Sequence, residues 1–156
     1  MIVVEIPGYR TLALSYLVLD INGTLTVDGQ LREGVAERLA KLREHVKVIL
    51  LSADTLGNAR EVAGRLGVPL ERVPVPGERE AKERFVLRLG PEAVAAIGNG
   101  ANDVLMLQAA ALGIAVIGKE GASREALSAA HIVVADIVDA LDLLLHPKRL
   151  VATLRR

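Results

Sequence analysis

The chain has no cysteine and no tryptophan, and its aromatic residues are one phenylalanine and two tyrosines. Without thiols it forms no disulfide, no zinc–thiolate site and no cysteine nucleophile. Phe85, Tyr9 and Tyr16 are too few for the stacking platforms that grip single-stranded nucleic acid. Charge of one sign is also lacking: 19 Lys and Arg balance 19 Asp and Glu. A neutral chain projects no field that would draw it to DNA or to an anionic membrane. The basic cluster Lys148, Arg149, Arg155 and Arg156 reads as a solvated helix face. No run of about 18 apolar residues exists for a transmembrane helix, and the start of the chain lacks the basic and apolar regions of a secretory signal. These absences predict a cytoplasmic protein that engages neither nucleic acid nor membrane. His45, His131 and His146 lack ligand-like spacing and carry no expected catalytic role.

What is present is a chain that is 51% hydrophobic, so its core must be built from Ala, Val, Leu and Ile. A length of 156 residues suits one domain spanning 1–156 with a proper core. Residues 1–6 and 11–14, separated by Pro7-Gly8, read as an N-terminal hairpin extension covering 1–15. Buried strands follow at 16–19 and 46–51, with a helix between them at 34–44. The alternation continues with a helix at 56–66, a short strand at 72–75, a helix at 78–89 and a strand at 94–97. A helix at 102–111, a strand at 114–117, a helix at 123–129, a strand at 132–134 and a helix at 137–145 complete the pattern. The tail, 146–156, opens with a proline suited to a first helical turn and reads as a short helix. Strands alternating with helices at this spacing predict an α/β fold, with a parallel sheet covered by helices on both faces.

Two polar segments leave buried strands: D-I-N-G-T-L-T at 20–26 and G-N-G-A-N-D at 98–103. Parallel α/β sheets deliver such residues to the carboxyl ends of their strands, where these folds bind ligands. A carboxylate at Asp20 can ligate a hard cation such as magnesium or attack phosphorus to form an aspartyl phosphate. The turn amides around Gly23 and the Thr24 hydroxyl can hold phosphoryl oxygens. Taken alone, D-x-N-G-T reads equally well as a turn leaving a strand. In the second segment, Asn102 can cap the following helix and Asp103 suits its positive end. Capping does not account for two glycines flanking Asn99 directly after a buried strand. Ser52 ends the 46–51 strand with a hydroxyl, and Lys82 lies on the 78–89 helix as the best-placed cation to offset substrate charge.

In this order the residues resemble the haloacid dehalogenase superfamily of aspartate-nucleophile phosphohydrolases, over about residues 16–145. The stretch G-N-G-A-N-D-V-L-M-L-Q-A-A-A-L-G-I-A-V-I-G is similar to the phosphorylation domain of P-type ATPases, and with G-T-L-T and A-A-H-I-V-V it points to the small soluble P-type-ATPase-like group. The resemblance implies a three-layer α/β/α Rossmann-like core and a magnesium ion. It makes Asp20 the nucleophile and a metal ligand, with the Asn22 carbonyl as a second ligand. Asn99 takes the position of a ligating aspartate. Gly23, Thr24, Ser52 and Lys82 would bind the phosphoryl group, while Asn102 and Asp103 would support phosphate and metal. The implied activity is hydrolysis of a phosphate monoester.

Two positions depart from the family's pattern. Where Asn22 stands, typical members carry the aspartate that protonates the leaving group, a role an amide cannot fill. Asn99 keeps an oxygen ligand but loses a charge. Both asparagines precede glycine, which makes each a candidate for deamidation. The double loss also supports an alternative, a catalytically degenerate domain that binds a phosphorylated ligand or a protein partner. Asp20 and Ser52 are 32 positions apart, and Ser52 and Lys82 are 30 apart, so neither interval has room for a cap domain. An open site then accepts a small phosphorylated substrate or a macromolecule. The hairpin and the Ala-rich helices are expected to supply a homo-oligomeric contact.

Overall fold

A computed structural model describes residues 1–54 and 57–156. The chain opens with an antiparallel hairpin, β1 (Ile2–Ile6) and β2 (Arg10–Leu14), and enters the main sheet at β3 (Tyr16–Asp20). A second, minimal hairpin follows, β4 (Thr26–Val27) and β5 (Gln30–Leu31), then α1 (Val35–Leu42) and β6 (Lys47–Ser52). Next come α2 (Asn58–Leu66), β7 (Leu70–Arg72), α3 (Glu78–Leu89) and β8 (Val94–Gly98). The remainder is α4 (Val104–Ala109), β9 (Leu112–Val116), α5 (Arg124–Ala129), β10 (Ile132–Val134), α6 (Ile137–Leu145) and α7 (Lys148–Leu154).

Among the described residues the main sheet has six strands in the order β10-β9-β8-β3-β6-β7, all parallel. Its strands are apolar on both faces, as parallel sheets require. Leu17, Leu19, Val48, Leu50, Ala95 and Ile97 point to one side, against α1, α2 and α6, with the N-terminal hairpin and Leu150 of α7 extending that core. Val18, Ile49, Leu51, Val94 and Ala96 point to the other, against Val86 of α3, Met106 and Leu107 of α4 and Ala126 of α5. The result is the three-layer α/β/α arrangement. Full burial of each Leu or Ile in such a core contributes about 1.5–3 kcal/mol.

The topology fixes where a site can form. From β3 the chain moves outward to β6 and β7, then returns to the opposite side of β3 with β8 and continues to β9 and β10. The order reverses between β3 and β8, the switch point at which open α/β sheets bind ligands. Pairing of Leu19 with Ile97, and of Asp20 with Leu51, brings the ends of β3, β8 and β6 side by side. Between Asp20 and Ser52 the chain holds the β4–β5 hairpin and α1; between Ser52 and Lys82, α2 and β7. No cap domain is present among the described residues, and none of their helices is long and apolar enough to cross a membrane.

Several elements differ from the sequence expectation. The strand expected at 72–75 occupies Leu70–Arg72, paired with Leu50–Ser52. Val73 adds one last hydrogen bond to the Ser52 carbonyl, at 3.0 Å, and Pro74, lacking an N–H, ends the ladder. The helix expected at 102–111 begins as a tight 3-10 turn, Ala101–Asp103, before α4. Asp103, not Asn102, holds the cap position of α4, and its side chain turns away from the helix. The next strand starts at Leu112 rather than 114, because Gly113 lets β9 approach α4: a Cβ there would lie 2.3 Å from the Leu107 carbonyl oxygen. The expected start of the second helix at Leu56 lies outside the described residues; the described helix starts at Asn58. The β4–β5 hairpin was not expected at all.

Candidate active site

Asp20 ends the central strand β3 and is almost completely buried. Directly after it the chain wraps around one acceptor: the Ile21 carbonyl receives the N–H groups of Thr24, Leu25 and Thr26 at 3.1, 2.8 and 3.2 Å. The wrap requires Gly23 in the left-handed region, at φ 78°, where a side chain is strained. A Cβ at Gly23 would also meet the Asn99 amide nitrogen at 2.4 Å. This turn tucks the Thr24 hydroxyl beneath the site, 3.1 Å from both Asp20 Oδ2 and Asn99 Oδ1, two acceptors for its single proton.

The second loop is built around Asp103. Its Oδ2 accepts the N–H groups of Asn99 and Gly100, at 3.1 and 3.0 Å. Gly98 is the residue that permits this, since a Cβ there would lie 2.6 Å from the Asp103 carboxyl carbon. The other oxygen, Oδ1, accepts from Lys82 Nζ at 2.8 Å, and the same ammonium reaches Asp20 Oδ1 at 2.9 Å. Lys82 has no solvent exposure. Burial alone would lower its pKa, but the charges of Asp20 and Asp103 outweigh that and raise it, so the cation is held. Burial first, then the Asp20 charge, pushes the Asp103 carboxyl up to about 6, against the opposing pull of Lys82 and the Gly100 N–H.

In front of this network is an open recess of about 440 Å³, lined by Asp20, Asn22, Ser52, Asn99 and Asn102. Thr24, Lys82 and Asp103 stand behind Asp20 rather than in the recess wall. Ser52, at the end of β6, accepts the Asp54 N–H at 3.0 Å, which leaves its own proton to donate. All the residues singled out in the sequence therefore meet at one place. Two carboxylates not anticipated there line the same recess, Asp54 and Glu78. Asp54 follows the strand-end serine by two residues and also caps α2 through the Ala59 N–H, at 2.8 Å. Glu78 lies four residues, one helical turn, before Lys82 on α3, a spacing that puts both on one face. A larger recess of about 510 Å³ lies between β7 and α3, beside Arg72, Arg84, Phe85 and Arg88. It contains none of the carboxylate, amide and hydroxyl groups described above, which line or back the smaller recess.

The side chains at the recess offer oxygen donors only. The Asn99 amide is oriented by its Nδ2 donating to the Gly121 carbonyl at 3.1 Å, with Oδ1 toward the Thr24 hydroxyl. Among the described residues no group of three or more His, Cys, Asp or Glu forms a cluster that could hold a metal. The oxygens that line the recess, carboxylates and neutral amides, are of the kind hard divalent cations take.

Residues 4–111 match a family model described as haloacid dehalogenase-like hydrolase, and residues 85–139 match a second model with the same description. An uncharacterized protein of Methanocaldococcus jannaschii is 47% identical over 90 residues, which cover 55% of this chain and 97% of that protein. A probable copper-transporting ATPase of Arabidopsis thaliana, HMA5, is 29% identical over 131 residues, 80% of this chain but 13% of the ATPase. This chain thus spans a small part of that relative. Among solved structures, the cobalt-bound deoxy-D-mannose-octulosonate 8-phosphate phosphatase of Haemophilus influenzae superposes with a TM-score of 0.73 at 17% identity. The match covers 92% of this chain and 94% of the phosphatase.

Proposed function

This chain belongs to the haloacid dehalogenase-like hydrolases, and on that premise we propose that it is a magnesium-dependent phosphohydrolase acting on phosphate monoesters through Asp20. The observation that carries the reading is the setting of the Asp20 carboxylate. It ends the central strand at the switch point, faces an open recess, and is gripped from behind by Lys82 Nζ at 2.9 Å and the Thr24 hydroxyl at 3.1 Å. Such a carboxylate is oriented without being enclosed, which is what a nucleophile needs. The phosphatase of similar fold, with its bound cobalt, supports a divalent cation and a phosphorylated substrate.

A carboxylate oxygen of Asp20 attacks phosphorus, and the bond from phosphorus to the ester oxygen breaks. The alcohol leaves as its oxygen takes a proton from solvent in the open recess, and an aspartyl phosphate remains. Water then attacks phosphorus, releases inorganic phosphate and restores the carboxylate. Ser52 and the amides of the Asp20 loop bind the phosphoryl oxygens, and Lys82 offsets the charge of Asp20 and Asp103 throughout. Asp20, the Asn22 carbonyl and Asn99 would hold magnesium, which would supply neutralisation of phosphoryl charge. Asp103 acts from behind, holding Lys82 and the Asn99 loop. The Asn22 amide moves no proton, and the loss of one such group lowers rates by about 10²–10⁴. Turnover is therefore expected to be slow.

The test is hydrolysis of p-nitrophenyl phosphate with and without magnesium, in the native chain and in Asp20→Asn, alongside trapping with beryllium fluoride. Magnesium-dependent release that vanishes in Asp20→Asn, with a fluoride adduct on Asp20, is expected. Undiminished release in the variant would remove Asp20 from the role of nucleophile. A chain that binds neither magnesium nor fluoride would instead favour the degenerate binding domain, whose support is the pair of amides at 22 and 99.

A further inference from the structure

Two of the four asparagines, Asn22 and Asn99, precede glycine. In such pairs the glycine nitrogen can attack the asparagine side-chain carbon and expel ammonia, leaving a cyclic imide. Water then opens the ring, giving aspartate or its isomer with the main chain routed through the side-chain carboxyl. Glycine favours the step because it has no Cβ to obstruct the approach. The reaction also needs a side chain free to swing toward that nitrogen.

The two pairs differ sharply in how firmly that side chain is held. Asn99 donates to the Gly121 carbonyl at 3.1 Å and faces the Thr24 hydroxyl at 3.1 Å, while the Gly100 N–H is held by Asp103 at 3.0 Å. The Asn99 carbonyl is fixed as well, accepting the Ser123 N–H at 2.8 Å. By contrast, Asn22 is exposed. Among the described residues no hydrogen bond engages its side chain, while the Gly23 N–H faces the Thr26 carbonyl in the parallel bridge between Asn22 and Thr26. The loop on either side stays anchored by the three N–H groups on the Ile21 carbonyl, so the side chain remains at the recess that Asp20 lines.

We infer that Asn22 is a site of self-deamidation, and that the reaction places a proton-transfer carboxyl beside Asp20. The inference rests on the phosphohydrolase reading above. A carboxyl at position 22 lines the recess into which the ester projects, where it can protonate the leaving alcohol and then take a proton from the attacking water. The native amide does neither. Opening to the isomer instead lengthens the main chain by one atom, displaces Gly23 and Thr24, and yields no gain. The chain would thus leave synthesis as a slow enzyme and acquire a faster fraction with time.

The experiment follows full-length protein held warm at mildly alkaline pH, with peptide mapping and p-nitrophenyl phosphate turnover measured on the same samples. Conversion at Asn22 ahead of Asn99 is expected, with turnover rising in step with the aspartate fraction toward that of Asn22→Asp, about 10-fold or more above the start. Asn22→Gln, which cannot close the five-membered ring, should show no rise with time. If Asn22 stays amidated in the folded chain while the denatured chain converts, the inference is overturned and the phosphohydrolase reading stands, provided Asn22→Asp is the faster enzyme. Conversion without a rise, while Asn22→Asp is fast, overturns it equally. If neither the native chain nor Asn22→Asp hydrolyses the ester, both fall together.

Discussion

Lys82 shows how tightly the site depends on single residues. Its ammonium lies between Asp20 and Asp103 at 2.9 and 2.8 Å with no exposure to solvent, so it cannot be exchanged for water. Lys82→Met keeps most of the volume but leaves two carboxylates facing a buried gap without a cation. Breaking a buried pair from one side costs about 3–5 kcal/mol, and chemical denaturation should report a loss of that order along with loss of hydrolysis. A variant of native stability would mean that Lys82 contributes little to the fold. The sequence disclosed this neighbourhood because its residues sit at strand ends, and a parallel sheet gathers strand ends. Less visible was the division of labour: Asp103, on sequence a residue for metal or helix cap, turns back to the Asn99 and Gly100 amides. Asp54 and Glu78 were missed because a lone carboxylate has no periodic signature. Their only signals were position, two residues past Ser52 and one helical turn before Lys82.

At the scale of elements, α1 and α6 are clamped across the top of one face of the sheet. Arg38 forks onto Asp142 at 2.8 and 3.3 Å, and Arg32 reaches Asp136 at 2.9 Å. Asp136 also caps α6 through the Val138 N–H at 3.0 Å. That cap first, with Arg32 assisting, holds the Asp136 carboxyl below its ordinary pKa, and the Arg38 hydrogen bond does the same for Asp142. A carboxyl lowered by folding stabilises the fold above its unfolded pKa of 3.8 and loses that contribution as pH falls through the lower folded value. Asp136→Ala should therefore cost about 0.5–2 kcal/mol at neutral pH and progressively less in acid, whereas Asp136→Asn should retain most of the cap. Thermal melts from neutral pH downward check this, and a loss independent of pH would contradict it. Most elements were legible from apolar periodicity, since β3, β6 and β8 are buried on both faces. The β4–β5 hairpin was not, because two-residue strands carry no periodic signal. Its turn was written in Asp28-Gly29, both at positive φ, 51° and 77°, the conformation that Asp-Gly supplies in tight hairpins. Pro74 likewise marked the true end of β7.

For the molecule as a whole, the decisive feature is what stands over the recess. The described residues between Asp20 and Lys82 form small elements, α1, α2, β7 and the β4–β5 hairpin, and none is a cap that encloses a substrate. The apolar face of the N-terminal hairpin, Ile2, Val4, Ile6, Leu12 and Leu14, is buried within this chain. A homo-oligomeric contact through the hairpin would have to use its other face, where Val3 is exposed. With an open recess of about 440 Å³, discrimination between substrates must come from the phosphoryl group and its immediate neighbours. Bulk farther out meets no wall among the described residues. An aryl phosphate free in solution and the same aryl phosphate carried on a protein should then have kcat/KM values within about tenfold, a difference of about 1.4 kcal/mol or less. Steady-state rates on the two substrates, measured over a range of enzyme concentrations, decide the matter. A preference for the small ester of about 100-fold or more, growing as enzyme concentration rises, would show that a second copy closes the recess. The oligomer would then be part of the site.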